Sequence, residues 1–314
     1  MYALKLIPAT KDFIWGGDSL KTKWNKKTDK DIIAESWELS CHKEGPSIIA
    51  NGEYKGMSLS DLLDKMPDLK GKKALNFKFF PILIKLIDAK TNLSIQVHPS
   101  DEYALANEGQ FGKTEMWYIV DVKEGGGVYC GFKEKYSIDE VAQAIKENRI
   151  MDILNFVEVK KGDCIYIPSG TVHAICGGLL ICEVQQNSSL TYRLYDYDRV
   201  DAKGNKRELH IEKSLKVIDP QRVGIVNEEV KQLDANKKLL ASCKYFTTTE
   251  IKVDGTLDVE VNGDSFASIT VVDGCGEVIV DGNKETLALG DTCFIPANYN
   301  YTLKGKMTII EARV

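Results

Sequence analysis

The sequence has 314 residues, is 43% hydrophobic and 28% charged, and carries a formal net charge of −5. A chain of that balance folds as one large globular domain or two ordinary ones with ample core, and its negative charge without a Lys/Arg cluster argues against a nucleic-acid surface. No stretch approaches the ~18 apolar residues of a membrane-spanning helix, and the N-terminal MYALKLIPATKDF has no signal-peptide pattern, so a cytoplasmic protein is expected.

In chain order, the first predicted helix is SLSDLLDKM (58–66), which opens on serine caps. Short alternating or β-branched runs follow: SIQVH, MWYIVDV and GGVYCGF. A second helix is predicted over 137–154, SIDEVAQAIKENRIMDIL, where Ser137-x-x-Glu140 forms a capping box. Strand patterns resume at DCIYIP and LLICEV, a polar stretch near 225–240 reads as a linker or domain edge, and FASITVV, GEVIV, TCFIP and MTIIEARV close the chain. Many short strands punctuated by turn residues predict a mainly β sandwich or barrel architecture. The eight cysteines fall singly, with no C-x-x-C pair. Several lie in strand-like runs, so they are expected to be reduced structural thiols.

The chain also resembles itself. A shift of 128 positions lays Gly162-Asp163 on Gly290-Asp291, Ile167-Pro168 on Ile295-Pro296, Ile181 on Ile309 and Glu183 on Glu311. Two copies of one β-fold are therefore expected. Under the same shift His173 falls on Tyr301, which suggests a site in one copy and a structural role for the other.

Residues 162–173 read G-x5-P-x-G-x2-H, which resembles the second motif of the cupin family. That likeness implies double jelly-roll sheets and a metal-ligating His173. The partner residues on offer are Gln96-Val97-His98, whose outer two side chains share a strand face, and then Glu115. Gln96, His98, Glu115 and His173 make an N2O2 set without thiolate, which suits Zn²⁺ and, less selectively, Fe²⁺, Mn²⁺ or Co²⁺. Glutamine is an uncommon ligand, and Gln96 could equally orient a water. His42 and His210 lack this context and read as ordinary core or surface residues. These patterns divide the chain into a metal-binding domain over 1–230, with an N-terminal extension and helices, and a degenerate copy without a metal site over 231–314.

Longer motifs sharpen the resemblance. FFPILIKLIDAKTNLSIQVHPSDEYA (79–104), GKTEMWYIV (112–120), IPSGTVHAI, EVQQNSSLTYRLYDYDR (183–199), IWGGDSL (14–20) and IAESWELS (33–40) are similar to type I phosphomannose isomerases of the short bacterial form. The likeness implies reversible interconversion of mannose 6-phosphate and fructose 6-phosphate, dependent on one divalent metal, usually zinc. It implies the same four metal ligands, an essential arginine at Arg193, a proton-transfer carboxylate at Glu183, and phosphate contacts at Lys85, Ser94 and Lys113. The implied partner is a small sugar phosphate, with no nucleic acid or membrane; the sequence leaves the oligomeric state open and is compatible with a monomer. One departure is Ser189, where relatives commonly carry Asp.

The residue types suit that chemistry. Aldose–ketose isomerisation needs a base at carbon and a cation at the developing oxyanion, which a metal or a permanently charged arginine can supply. Lys85 lies in the apolar run PILIKLID; it either points to a phosphate, pairs with a carboxylate such as Asp88, or snorkels to solvent. A metal-dependent dioxygenase would explain the ligands but not Lys85 or Arg193. A sugar-binding module would have no use for Glu183 and Arg193 beside a metal.

Overall fold

The computed structural model describes residues 1–200 and 204–314. It is mainly β, as the turn-punctuated strands predict, and it divides into two compact units. The central unit comprises 12–17 and 87–228; the terminal unit comprises 1–11, 18–86 and 229–314. These units cut the chain differently from a single boundary near 230: one edge falls close to it, but most of 1–86 groups with the C-terminal strands. Strand order across a sheet is set by long-range pairing, which local pattern does not reveal. Among the described residues no helix is long and apolar enough to cross a membrane, and all eight cysteines are free.

In the central unit the strands run in two groups. Glu115–Val122 pairs antiparallel with Cys164–Ile167 on one side and with Leu179–Gln186 on the other. The second group runs in the order Tyr192–Tyr195, Ile95–Val97, His173–Ile175, Gly127–Phe132, Leu154–Glu158. Ile95, Val97, Phe132, Val172, Ala174 and Leu194 form part of its apolar core. In the terminal unit the long strands Thr247–Val259, Tyr301–Arg313 and Ala267–Val280 stand side by side and continue through Thr292–Ile295 to Leu4–Ile7, around a core of Ile251, Ile269, Val271, Val278, Leu303 and Ile309.

The repeat is visible in the backbone. Gly162 and Gly290 take φ of 89° and 85°, the left-handed region that glycine enters without a Cβ clash. In each turn the aspartate that follows reaches back three residues: Lys160 N donates to Asp163 Oδ2 at 2.9 Å and Ala288 N to Asp291 Oδ2 at 2.8 Å. The strands Cys164–Ile167 and Thr292–Ile295 then begin at the same 128-residue offset.

Two local expectations change. The helix predicted over 137–154 opens on its capping box, with both reciprocal hydrogen bonds made, but runs only Ile138–Lys146 before a short second helix, Ile150–Ile153. Asn148 causes the break by adopting φ of 57°, a conformation asparagine tolerates at helix ends. The polar stretch near 225–240 is not all linker: Lys231–Gln232 and Lys237–Ser242 pair as a hairpin at the sheet edge. The helix expected over 58–66 forms as Leu59–Lys65, with Ser58 accepting from Asp61 N.

Candidate metal centre and active site

Strand register builds the site. On Ile95–Val97, Gln96 is paired with His173 on one neighbouring strand and with Arg193 on the other. Directly opposed residues project to the same face, so Arg193, Gln96 and His173 form a row across three strands. His98 follows two residues after Gln96 on the same side. Glu115, the first residue of its strand, supplies the carboxylate: its Oε1 lies 3.3 Å from His173 Nε2 and its Oε2 3.7 Å from His98 Nε2. The ligand-type atoms of His98, Glu115 and His173 all lie within 4.8 Å of one another, and all three residues are buried. Gln96 is partly exposed.

The histidine is prepared for a cation. His173 Nδ1 is 2.8 Å from the Thr171 carbonyl oxygen; a carbonyl only accepts, so Nδ1 carries the proton and Nε2 presents its lone pair. Burial, the largest influence, pushes its pKa down to about 3, so the ring is neutral at physiological pH. Nε2 is buried and receives no hydrogen bond from a donor among the described residues. Two imidazoles and a carboxylate converging out of water suit a divalent ion, and fixing the far nitrogen on a carbonyl is how metal-binding histidines are oriented.

Lys113 and Glu183 border this cluster. Lys113 Nζ is 2.6 Å from Glu115 Oε2, 3.2 Å from His98 Nε2 and 3.8 Å from Glu183 Oε1. Glu183 is paired in register with Trp117, whose indole Nε1 donates to Glu183 Oε2 at 2.9 Å. The Trp117 ring also meets His173 edge-on, with centroids 5.4 Å apart. Arg193 is held at both ends: Nε donates to Ser94 Oγ at 3.2 Å and Nη1 to the Glu208 carbonyl at 2.8 Å. Burial and then the neighbouring Arg207 lower its pKa, yet a guanidinium stays charged.

Of the three residues expected at a phosphate, Ser94 thus lies beside Arg193 and Lys113 beside the carboxylates. Lys85 belongs to the terminal unit, on the strand Ile82–Ala89, where its Nζ is 3.2 Å from Glu35 Oε2 and 5.3 Å from the centroid of the Trp37 ring. Trp117 was not singled out in the sequence, nor was the role of His210, which brackets Arg193: His210 Nδ1 accepts from Arg193 N at 3.2 Å and His210 N donates to Arg193 O at 2.7 Å. A tryptophan inside an apolar strand and a histidine seventeen residues after the arginine give no local signal of either role.

Comparison with known proteins adds to this geometry. Residues 3–121 match the family model "Phosphomannose isomerase type I, catalytic domain", and residues 235–314 match "Mannose-6-phosphate isomerase, cupin domain". Mannose-6-phosphate isomerase ManA of Bacillus subtilis (strain 168) is 38% identical over 92% of this chain and 91% of its own length. The chain belongs to the type I phosphomannose isomerase family. Mannose-6-phosphate isomerase of Streptococcus mutans is 36% identical over 95% of this chain and 94% of its own. A crystal structure of the mannose 6-phosphate isomerase from Bacillus subtilis superposes with a TM-score of 0.92 at 34% identity, covering all of both chains. As a phosphomannose isomerase family member the chain is an enzyme of the isomerase type, which sets aside the dioxygenase and binding-module alternatives.

Proposed function

We propose that the protein interconverts D-mannose 6-phosphate and D-fructose 6-phosphate through a cis-enediolate, with Gln96, His98, Glu115 and His173 holding a zinc ion. The observation that carries the reading is the buried His98–Glu115–His173 cluster with Glu183 on the adjoining strand, in a chain of this family. When bound, the ion supplies Lewis-acid polarisation of the sugar oxygens.

Glu183 takes the proton from C2 of the open-chain aldose and returns it to C1. A proton moves from O2 to O1, so the carbonyl migrates to C2 and atoms balance. Trp117 orients the base by holding Oε2, which leaves Oε1 towards Lys113. Arg193 stabilises the negative charge that develops on the enediolate oxygens, without surrendering its proton. Lys113 and Ser94 anchor the phosphate. For Lys113 this means exchanging its ion pair with Glu115, because two cations compete for one carboxylate. Catalysis resides in residues 1–230, the C-terminal copy carries no metal, and the enzyme is a cytoplasmic one.

A coupled assay for fructose 6-phosphate tests this directly, run on the protein as purified, after chelation and after zinc is restored. Activity lost with chelator and regained with zinc is expected. A folded, metal-loaded protein inactive on mannose 6-phosphate would refute the reading.

A further inference from the structure

Gln185 is fully buried and has no part in the scheme above. Its Nε2 donates to two backbone carbonyls, those of Gln186 and Ser188, each at 2.7 Å. Only the NH₂ side of a carboxamide can serve two carbonyls, so the partners decide which way the amide faces. Oε1 therefore points away from that loop. It is buried and accepts no hydrogen bond from the described residues, an arrangement that carries a desolvation penalty unless a donor arrives.

Two polar side chains of the following loop are already engaged. Gln186 accepts from Thr114 N at 2.9 Å and donates to Asp101 at 2.8 Å, while the Ser188 hydroxyl donates to the Phe111 carbonyl at 2.8 Å. Register fixes the face: Gln185 is paired with Glu115, and Glu183 two residues earlier with Trp117. Side chains two apart on a strand share a face, so Gln185 projects to the side of the sheet that carries Glu115, Trp117 and Glu183. A neutral acceptor thus projects to the same face of the sheet as those carboxylates, and it can take a hydrogen bond from an O–H donor.

We infer that Gln185 Oε1 is a specificity-determining contact that accepts a hydrogen bond from a non-reacting hydroxyl of the sugar. This rests on the isomerase reading above. A polyol is rich in such donors, and a site with an oriented acceptor rejects an analogue that lacks the matching hydroxyl.

The test is a cycle between residue and hydroxyl. kcat/KM is measured for mannose 6-phosphate and its 3-deoxy and 4-deoxy analogues with the wild type, Gln185→Met and Gln185→Glu. Methionine is close in size and has no comparable acceptor; glutamate keeps the oxygen but loses the amide that holds the loop. The wild type is expected to lose about tenfold to a hundredfold on one analogue, the range of one to two hydrogen-bond equivalents. Gln185→Met should process that analogue and the parent sugar within about threefold of each other, while Gln185→Glu keeps the discrimination. Equal losses in wild type and Gln185→Met would overturn the inference, because the acceptor then serves a resident water or the loop alone. If Gln185→Met fails to fold, loss of discrimination in folded Gln185→Glu overturns it instead. A wild type inactive on the parent sugar would fail the isomerase reading itself, and this inference with it.

Discussion

The two copies of the repeated strand pair put similar backbone to opposite uses. In the central unit, His173 presents a buried lone pair towards Glu115, and Glu183 stands on the next strand of the same sheet as Glu115. In the terminal unit the matching positions are Tyr301 and Glu311, and they satisfy each other: the tyrosine hydroxyl donates to Glu311 Oε1 at 2.7 Å, and Arg313 Nη2 reaches the same oxygen at 2.6 Å. Burial and the adjacent Glu311 raise the Tyr301 pKa well above its usual value, so the hydroxyl remains a donor. In the central copy His173 Nε2 takes no hydrogen bond from the described residues; in the terminal copy the matching hydroxyl and carboxylate pair with each other. Buried polar groups persist only where something pairs with them, and in the terminal copy that partner comes from the chain itself.

Substitutions at His173 are expected to have the largest effect. His173→Gln removes the prepared lone pair and should reduce turnover on the order of 10³-fold or more, with loss of bound metal, since a metal supplies several kcal/mol of charge stabilisation; near-normal turnover in the coupled assay would contradict this. Glu183→Gln and Arg193→Ala should each lower kcat by ~10²–10⁴-fold, with the melting transition retained. An unfolded Arg193→Ala protein, or a fully active one, would remove the arginine from the chemistry. Tyr301→Phe deletes only the closing hydroxyl. It should cost about 1–3 kcal/mol in denaturant unfolding and leave kcat unchanged; a loss of activity in the folded variant would mean that the terminal copy is not merely structural.

The smallest effect is one of pH. In the chelated protein the folded His173 has a pKa of about 3, against about 6.5 in the unfolded chain. Between those values the unfolded state binds the extra proton, so the contribution is fully present above pH 6.5 and is lost as pH falls. The slope is up to ~1.4 kcal/mol per pH unit. Urea midpoints of chelated wild type and His173→Gln at pH 7.5 and 5.5 should separate by that sign, and identical pH slopes would show that His173 does not titrate this way.

Much of this was legible in the sequence because it is local. The Gly-Asp turns, the capping box at Ser137 and the spacing from Gly162 to His173 are each fixed by a few consecutive residues, and the structure reproduces all three. Alternation along SIQVH put Gln96 and His98 on one face. What did not show was pairing across distance. Glu35 beside Lys85, Trp117 beside Glu183 and His210 around Arg193 depend on which strands or segments become neighbours. The grouping of residues 18–86 with the C-terminal strands is of the same kind. The break at Asn148 has no signal of its own, because asparagine in a helical pattern does not announce a left-handed turn.

A metal count tests the central copy's site most directly. Elemental analysis of dialysed protein should find one divalent ion per chain in the wild type and in Tyr301→Phe, and essentially none in His173→Gln. Two ions per chain, or one retained without His173, would contradict the assignment of the site to the central copy alone.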